Sequence, residues 1–168
     1  MMKTHVCFFA TPINENTSNF KGHDDLLFGY IQDTFAKNQL GFNLLKVEMS
    51  KDHHQIEQNI HDGLEKANLV IIDLSSHDPN IYYELGYAKA LNKKVIQLQN
   101  SHLDSLPFDL GHATVLYDTT TDEGINQFKK DMLEAVKSPE TLDTPLSFYA
   151  ENDVEISGRI DDQGIVEP

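Results

Sequence analysis

The run Leu69-Val70-Ile71-Ile72-Asp73-Leu74-Ser75 constrains this chain more than any other stretch. Its apolar residues fall on consecutive positions rather than alternate ones, so a strand made from it must be covered on both faces. Such burial marks an inner strand of a parallel sheet with helices above and below. Asp73 interrupts that apolar run at its end, where a carboxylate must face something polar.

The flanking sequence supplies the rest of that plan. "HVCFFAT", His5 to Thr11, reads as a first strand ending in a turn at Pro12. "DDLLFGYIQDTFAKNQ" places Leu26, Leu27, Tyr30, Ile31 and Phe35 at helical spacing, with Gly41 as a stop signal. "NLLKVEM" is a second strand, and "HQIEQNIHDGLEKA" carries Ile56, Ile60, Leu64 and Ala67 along one helical face. After the central strand come a helix from Pro79 to Leu91, the strand "KVIQLQ", a loop, the strand "ATVLYD" and a helix from Glu123 to Lys137. This alternation predicts an α/β fold: a flavodoxin-like, doubly wound, five-stranded parallel sheet of order 2-1-3-4-5 with helices on both faces.

At 168 residues the chain has the length of one domain, here placed over residues 1–138. Residues 139–168 read as an acidic C-terminal extension. From Ser138 onward eight acidic residues stand against Arg159, giving −7, half of the total −14. Within it "VEISGRI" suggests a strand or hairpin packing on a neighbour, with a partly disordered acidic tail as the alternative reading. The overall charge opposes nucleic acid and anionic membranes as partners. No apolar run approaches the roughly 18 residues that span a bilayer. "VCFFA" near the N-terminus is too short for a secretory core of about 7–15 residues, so the cytoplasm is the expected location. The single Cys7 lies in a strand and reads as a buried, inert thiol.

In a sheet of this order, ligands bind at the carboxyl ends of strands one and three, where the strand order reverses. Thr11, Pro12, Ile13 and Asn14 leave the first strand there. Asp73, Ser75, Ser76, His77, Asp78 and Asn80 leave the third. Asp78 before Pro79 fits a helix cap followed by a first helical residue. Glu84 then falls less than two turns into the helix, its side chain leaning back toward the crevice. The residues alone leave two readings open: a solvated glutamate favoured near a helix N-terminus, or a carboxylate presented to a ligand.

Other motifs point to no rival chemistry. His54 and His61 are seven positions apart, about two turns, and no acid-histidine metal pattern is present, so no metal or other cofactor is expected. The first turn, "TPINENTSNFKG", lacks both the dinucleotide fingerprint and the P-loop. Ser75 and Ser76 lack a nucleophile elbow. Tyr82 and Tyr83 read mainly as packing residues.

"ANLVIIDLSSHDPNIYYELGYAKALNKKVI" resembles the central motif of the nucleoside 2-deoxyribosyltransferase-like superfamily, and within it the TIR-like, nucleotide-binding branch. "FFATPINENTSNFKGHDDLLFGYI" and "LPFDLGHATVLYD" are similar to the opening and late segments of that branch, so the resemblance runs over about residues 5 to 137. It implies cleavage or transfer of an N-glycosidic bond in a nucleotide-type substrate, NAD-like in the leading version, or else a nucleoside or nucleoside monophosphate. The glutamate of the "ELG" motif, here Glu84, attacks the anomeric carbon in the transferases. In related NAD-cleaving enzymes it engages the ribose and stabilises the oxocarbenium-like transition state. Asp78 and Asn80 would position the sugar, and Asp73 would help hold the base. A neutral base also needs a proton in order to leave, with His77 and Asp73 as the candidate donors. The opening segment offers only Lys21 and His23 as phosphate-binding cations, which suits a nucleoside or nucleoside monophosphate. The resemblance further implies a homo-oligomer in which a neighbour completes the pocket. Base exchange between deoxynucleosides and a non-catalytic nucleotide sensor are the alternative readings.

Overall fold

The computed structural model describes residues 5–12, 18–46, 53–103, 114–138, 159–160 and 166–167. In chain order the elements are β1 (His5–Ala10), α1 (Ser18–Lys37), β2 (Phe42–Lys46), α2 (His53–Lys66), β3 (Leu69–Asp73), α3 (Pro79–Ala90), β4 (Lys94–Asn100), β5 (Thr114–Tyr117), α4 (Asp122–Lys137), β6 (Arg159–Ile160) and β7 (Val166–Glu167). The first five strands form one sheet of order β2-β1-β3-β4-β5, with every pairing parallel. This is the doubly wound arrangement expected from the alternation of apolar runs and helices.

Strand periodicity divides the core in two. Cys7, Phe9, Leu69, Ile71, Ile96 and Leu98 point to one face and meet Leu27, Ile31 and Phe35 of α1 and Phe128, Met132 and Val136 of α4. Phe8, Ala10, Val70, Ile72 and Val95 point to the other face, against Leu64 of α2 and Ile81, Leu85 and Ala88 of α3. All five residues of β3 are buried, as a strand with helices on both sides requires. Burial pushes the Cys7 thiol well above its ordinary range.

Several boundaries differ from the sequence pattern. α1 begins at Ser18, six residues before the Asp24 from which its apolar periodicity is legible. That first stretch lacks an apolar stripe and contains Gly22, which costs about 1 kcal/mol in a helix relative to Ala. Leu26 is 53% exposed rather than part of the packed face. Successive helical residues are turned by about 100°, and Leu27, Ile31 and Phe35 define the buried stripe. The central strand stops at Asp73, and Leu74 and Ser75 belong to the following turn.

Two helices stop in the same way. Leu40 N–H donates to the Phe35 carbonyl and Gln39 N–H to that of Ala36, with Gln39 left-handed at φ 51°. Lys93 donates to Ala88 and Asn92 to Lys89, with Asn92 at φ 55°. Both are Schellman ends, which satisfy the last helical carbonyls. In α1 the stop therefore falls at Gln39, two residues before Gly41. Of the C-terminal extension, Arg159 and Ile160 pair antiparallel with Glu167 and Val166. The rest of "VEISGRI" lies outside the described residues, as do 47–49 of the expected second strand.

Candidate active site

Two groups of polar side chains gather at the carboxyl edge of β1 and β3. The first is built around Asp73, whose side chain lies on the α1–α4 face of the sheet. Ser75 closes on it twice: its backbone N–H donates to Asp73 Oδ1 at 3.0 Å and its hydroxyl to the same oxygen at 2.5 Å. Tyr117, the last residue of β5, donates its hydroxyl to Asp73 Oδ2 at 2.9 Å. The Ser75 hydroxyl also accepts the Asn100 N–H at 2.8 Å, tying the turn after β3 to the end of β4. His23 Nε2 lies 2.8 Å from the Tyr117 hydroxyl, and the two rings stack with centroids 5.5 Å apart. Because the tyrosine proton is given to Asp73, His23 Nε2 is the donor to Tyr117.

Burial pushes the Asp73 carboxyl up, and the hydrogen bonds from Ser75 and Tyr117 pull against that rise. The strand pattern predicts that Asp73 faces something polar, and the family resemblance implies that it helps hold the base. In the structure both its oxygens are occupied from within and the residue is 3% exposed. It holds the turn that carries Ser75.

The second group belongs to the start of α3. Asp78 is extended (φ −67°, ψ 127°) and its carboxylate accepts the Asn80 N–H at 2.8 Å, while Pro79 opens the helix. This is the capping arrangement that the Asp-Pro pair predicts. Ahead of the cap, His77 takes a left-handed conformation at φ 53°, uncommon for a residue with a side chain. Its N–H donates to the Leu74 carbonyl, and Ser76 Oγ accepts the Asp78 N–H. The turn from Leu74 to Asp78 is thus fixed at three points. His77 Nδ1 meets the Tyr82 hydroxyl at 2.9 Å, whereas its Nε2 is buried without a hydrogen-bond partner.

Glu84 lies on the buried stripe of α3 with Ile81, Leu85 and Ala88, at 7% exposure. Of the two readings left open by the sequence, the solvated surface glutamate does not fit this placement. Burial, and next the charge of Asp78, push its carboxyl up to about 7. Among the described residues no hydrogen-bond donor meets it. Asn80 is exposed beside it, and Tyr83 is exposed on the far side of the helix against His61.

The edge of β1 contributes Thr11 and Pro12, both half-buried, and Ile13 lies outside the described residues. Thr11 hydrogen-bonds the carboxylate of Asp24, a residue the sequence pattern does not single out. Burial, and then Asp73, push the Asp24 carboxyl up to about 7. Tyr117 and Asn100 are equally hidden in the sequence. Their only signal is position, since each ends a strand at the carboxyl edge of the sheet. The structure therefore joins Thr11, His23, Asp73 and Ser75 through Asp24 and Tyr117, and joins His77, Asp78, Asn80 and Glu84 through the start of α3. The turn from Leu74 to Asp78 connects the two groups.

No helix among the described residues is long and apolar enough to cross a membrane. A comparison with curated proteins gives no match. Among solved structures, the chain is similar to the CMP N-glycosidase BcmB of Clostridium botulinum, with 17% identity over 76% of this chain and 98% of that one and a TM-score of 0.49. A 2-desoxiribosyltransferase from Leishmania mexicana matches with 17% identity over 75% and 97% of the two chains, TM-score 0.47. A 2-deoxyribosyltransferase from Bacillus psychrosaccharolyticus matches with 12% identity over 83% and 96%, and its TM-score of 0.50 speaks for a shared fold. The family model described as nucleoside 2-deoxyribosyltransferase matches residues 17–139, which include β2 to β5 and all four helices. The chain belongs to the nucleoside 2-deoxyribosyltransferase family, whose enzymes cleave or transfer N-glycosidic bonds.

Proposed function

We propose that this enzyme cleaves the N-glycosidic bond of a nucleoside or nucleoside monophosphate, with the Glu84 carboxylate attacking C1′. The observation that carries the reading is the burial of Glu84 on the packed stripe of α3, with no hydrogen-bond donor meeting it among the described residues. A carboxylate kept in that state costs folding free energy, and a developing positive charge on a sugar beside it recovers that cost in the transition state. As a nucleophile it divides one displacement into two easier steps. Asp78, fixed as a cap, and Asn80 face the ribose hydroxyls. Thr11, Pro12, Ile13, His23, Ser75 and His77 bound the base and the sugar. Asp73 acts beneath them by holding Ser75 and Tyr117.

A dinucleotide such as NAD, to which the TIR-like resemblance points, is served less well by this site. Among the described cations near the edge of β1, Lys46 is already paired with Asp25. A smaller anionic or neutral substrate needs no further positive charge. The reading includes a homo-oligomer whose neighbour completes the pocket, and a cytoplasmic enzyme acting on soluble nucleosides.

The test is incubation of the wild type and Glu84→Ala with nucleosides, nucleoside monophosphates and NAD, following released base by chromatography. Base release by the wild type alone is expected. Adding a second free base separates exchange from hydrolysis, and nicotinamide release would move the substrate to NAD. If neither protein releases base and both bind a nucleotide equally well, the catalytic reading fails and a sensor takes its place.

A further inference from the structure

We propose that Asp24 is the acid that protonates the departing base, working opposite Glu84; the inference rests on the glycosidic reading above. Five candidate donors stand at the carboxyl edge, and their hydrogen bonds and places in the fold separate them. Asp73 has both oxygens filled by Ser75 and Tyr117. The Tyr117 proton is given to Asp73, and His23 Nε2 is given to Tyr117. His77 Nδ1 is engaged with Tyr82. Asp24 Oδ1 and His77 Nε2 are both buried with no partner among the described residues. His77 stands in the turn before α3, on the side of Asp78 and Glu84, whereas Asp24 stands beside Thr11 at the end of β1, with Thr11 hydrogen-bonded to its carboxylate.

The groups facing Asp24 favour its neutral form. Asp73 on β3 and Asp25 on α1 repel a charge there, and Lys46 of β2, the opposing cation, is committed to Asp25. Tyr117 of β5 is neutral, and Asp24 itself helps push that phenol up. A buried carboxylic acid carries an O–H that requires an acceptor. A ring nitrogen or carbonyl oxygen of a nucleobase supplies one. Placement beside Thr11 and Asp73 sets the acid at the switch point between β1 and β3, where the sheet order predicts the ligand.

The step balances. As the C1′–N bond breaks, its electron pair goes to the base, which takes the Asp24 proton. A Glu84 oxygen forms the bond to C1′, and Asp24 is left as a carboxylate. In the second half, water or the ring nitrogen of an incoming base attacks C1′ and breaks the ester to Glu84. The attacking group passes its proton to Asp24, which restores the starting state.

The experiment compares wild type and the isosteric Asp24→Asn on guanosine and cytidine, their 2′-deoxy forms and 5′-monophosphates, and each compound methylated at a ring nitrogen. A methylated base is cationic while attached and leaves without a proton. The expected result is a loss of about 10²–10⁴-fold on neutral substrates with little change on methylated ones. A positioning role alone would lower both alike, and equal losses, or none, would overturn the proposal. A second readout needs no variant. The wild-type rate on neutral substrates should peak near pH 7, rising as Glu84 ionises and falling as Asp24 loses its proton, whereas methylated substrates should keep the acid limb and lack the alkaline one. Parallel alkaline limbs would also overturn the assignment. Absence of base release from every substrate would instead overturn the glycosidic reading, and the donor role with it.

Discussion

In the proposed reading, Glu84 concentrates the conflict between stability and function in one side chain. Its carboxyl stands at about 7 rather than the ordinary 4.5, so the native state holds the proton more tightly than the unfolded chain does. The resulting penalty is absent below the unfolded value and complete once pH rises past the folded one. Glu84→Gln should therefore stabilise the protein by up to about 3 kcal/mol above pH 8. Near pH 4 it should change little. Thermal melts at the two pH values check this, with a gain of several degrees expected only at the higher one. Tyr117→Phe acts in the opposite direction. It leaves Asp73 Oδ2 and His23 Nε2 unpaired inside the protein, at a cost of about 1–3 kcal/mol. A melting temperature equal to that of the wild type would show that the phenol contributes no net stability. The residues around Glu84 left its burial open, and only the family resemblance pointed to a role. The Asp78 cap was legible in the sequence because its meaning is local, an acid before proline at a helix start. Tyr117 and Asp24 were not, because their partners lie 44 residues away in one case and across the β1–β3 boundary in the other.

Elements were more legible than their edges. The β3 run announced its own burial on both faces, and the order of strands followed from the helices between them. The start of α1 was hidden because its first turns carry no apolar period, and its stop was misplaced because Gln39, not glycine, occupies the left-handed seat. Tertiary contacts decide such ends. The start of α4 shows how tightly. A Cβ added to Gly124 would come within 2.4 Å of the Asp118 carbonyl oxygen, in the turn where Thr121 caps the helix through the Gly124 N–H. The colliding atom is backbone and cannot rotate away. Gly124→Ala should therefore destabilise the protein by about 1–3 kcal/mol, although alanine is the better helix former. Denaturant unfolding checks the sign, and a gain in stability would show that the turn relaxes freely.

At the scale of the whole molecule, the family match ends at residue 139, immediately after the end of α4 at Lys137. Lys94 Nζ donates to the carbonyls of Val136 and Ser138, at 2.6 and 3.2 Å, so the end of α4 is capped from within the sheet domain. A chain of residues 1–138 should consequently unfold cooperatively and keep the base-releasing activity, with half the net charge removed. Loss of activity with the fold intact would place the acidic extension in the site, of the same chain or of a neighbour. Every scale meets at the carboxyl edge of β1 and β3, where a buried network fixes a turn and the turn fixes the helix that carries Glu84. The most direct test is the rate of base release by wild type and Glu84→Gln at pH 7, where the Glu84 carboxyl is partly ionised and Asp24 still partly holds its proton. The variant should fold at least as stably and lose about a thousandfold or more in rate, about 4 kcal/mol of transition-state stabilisation. A variant that releases base at the wild-type rate would contradict it.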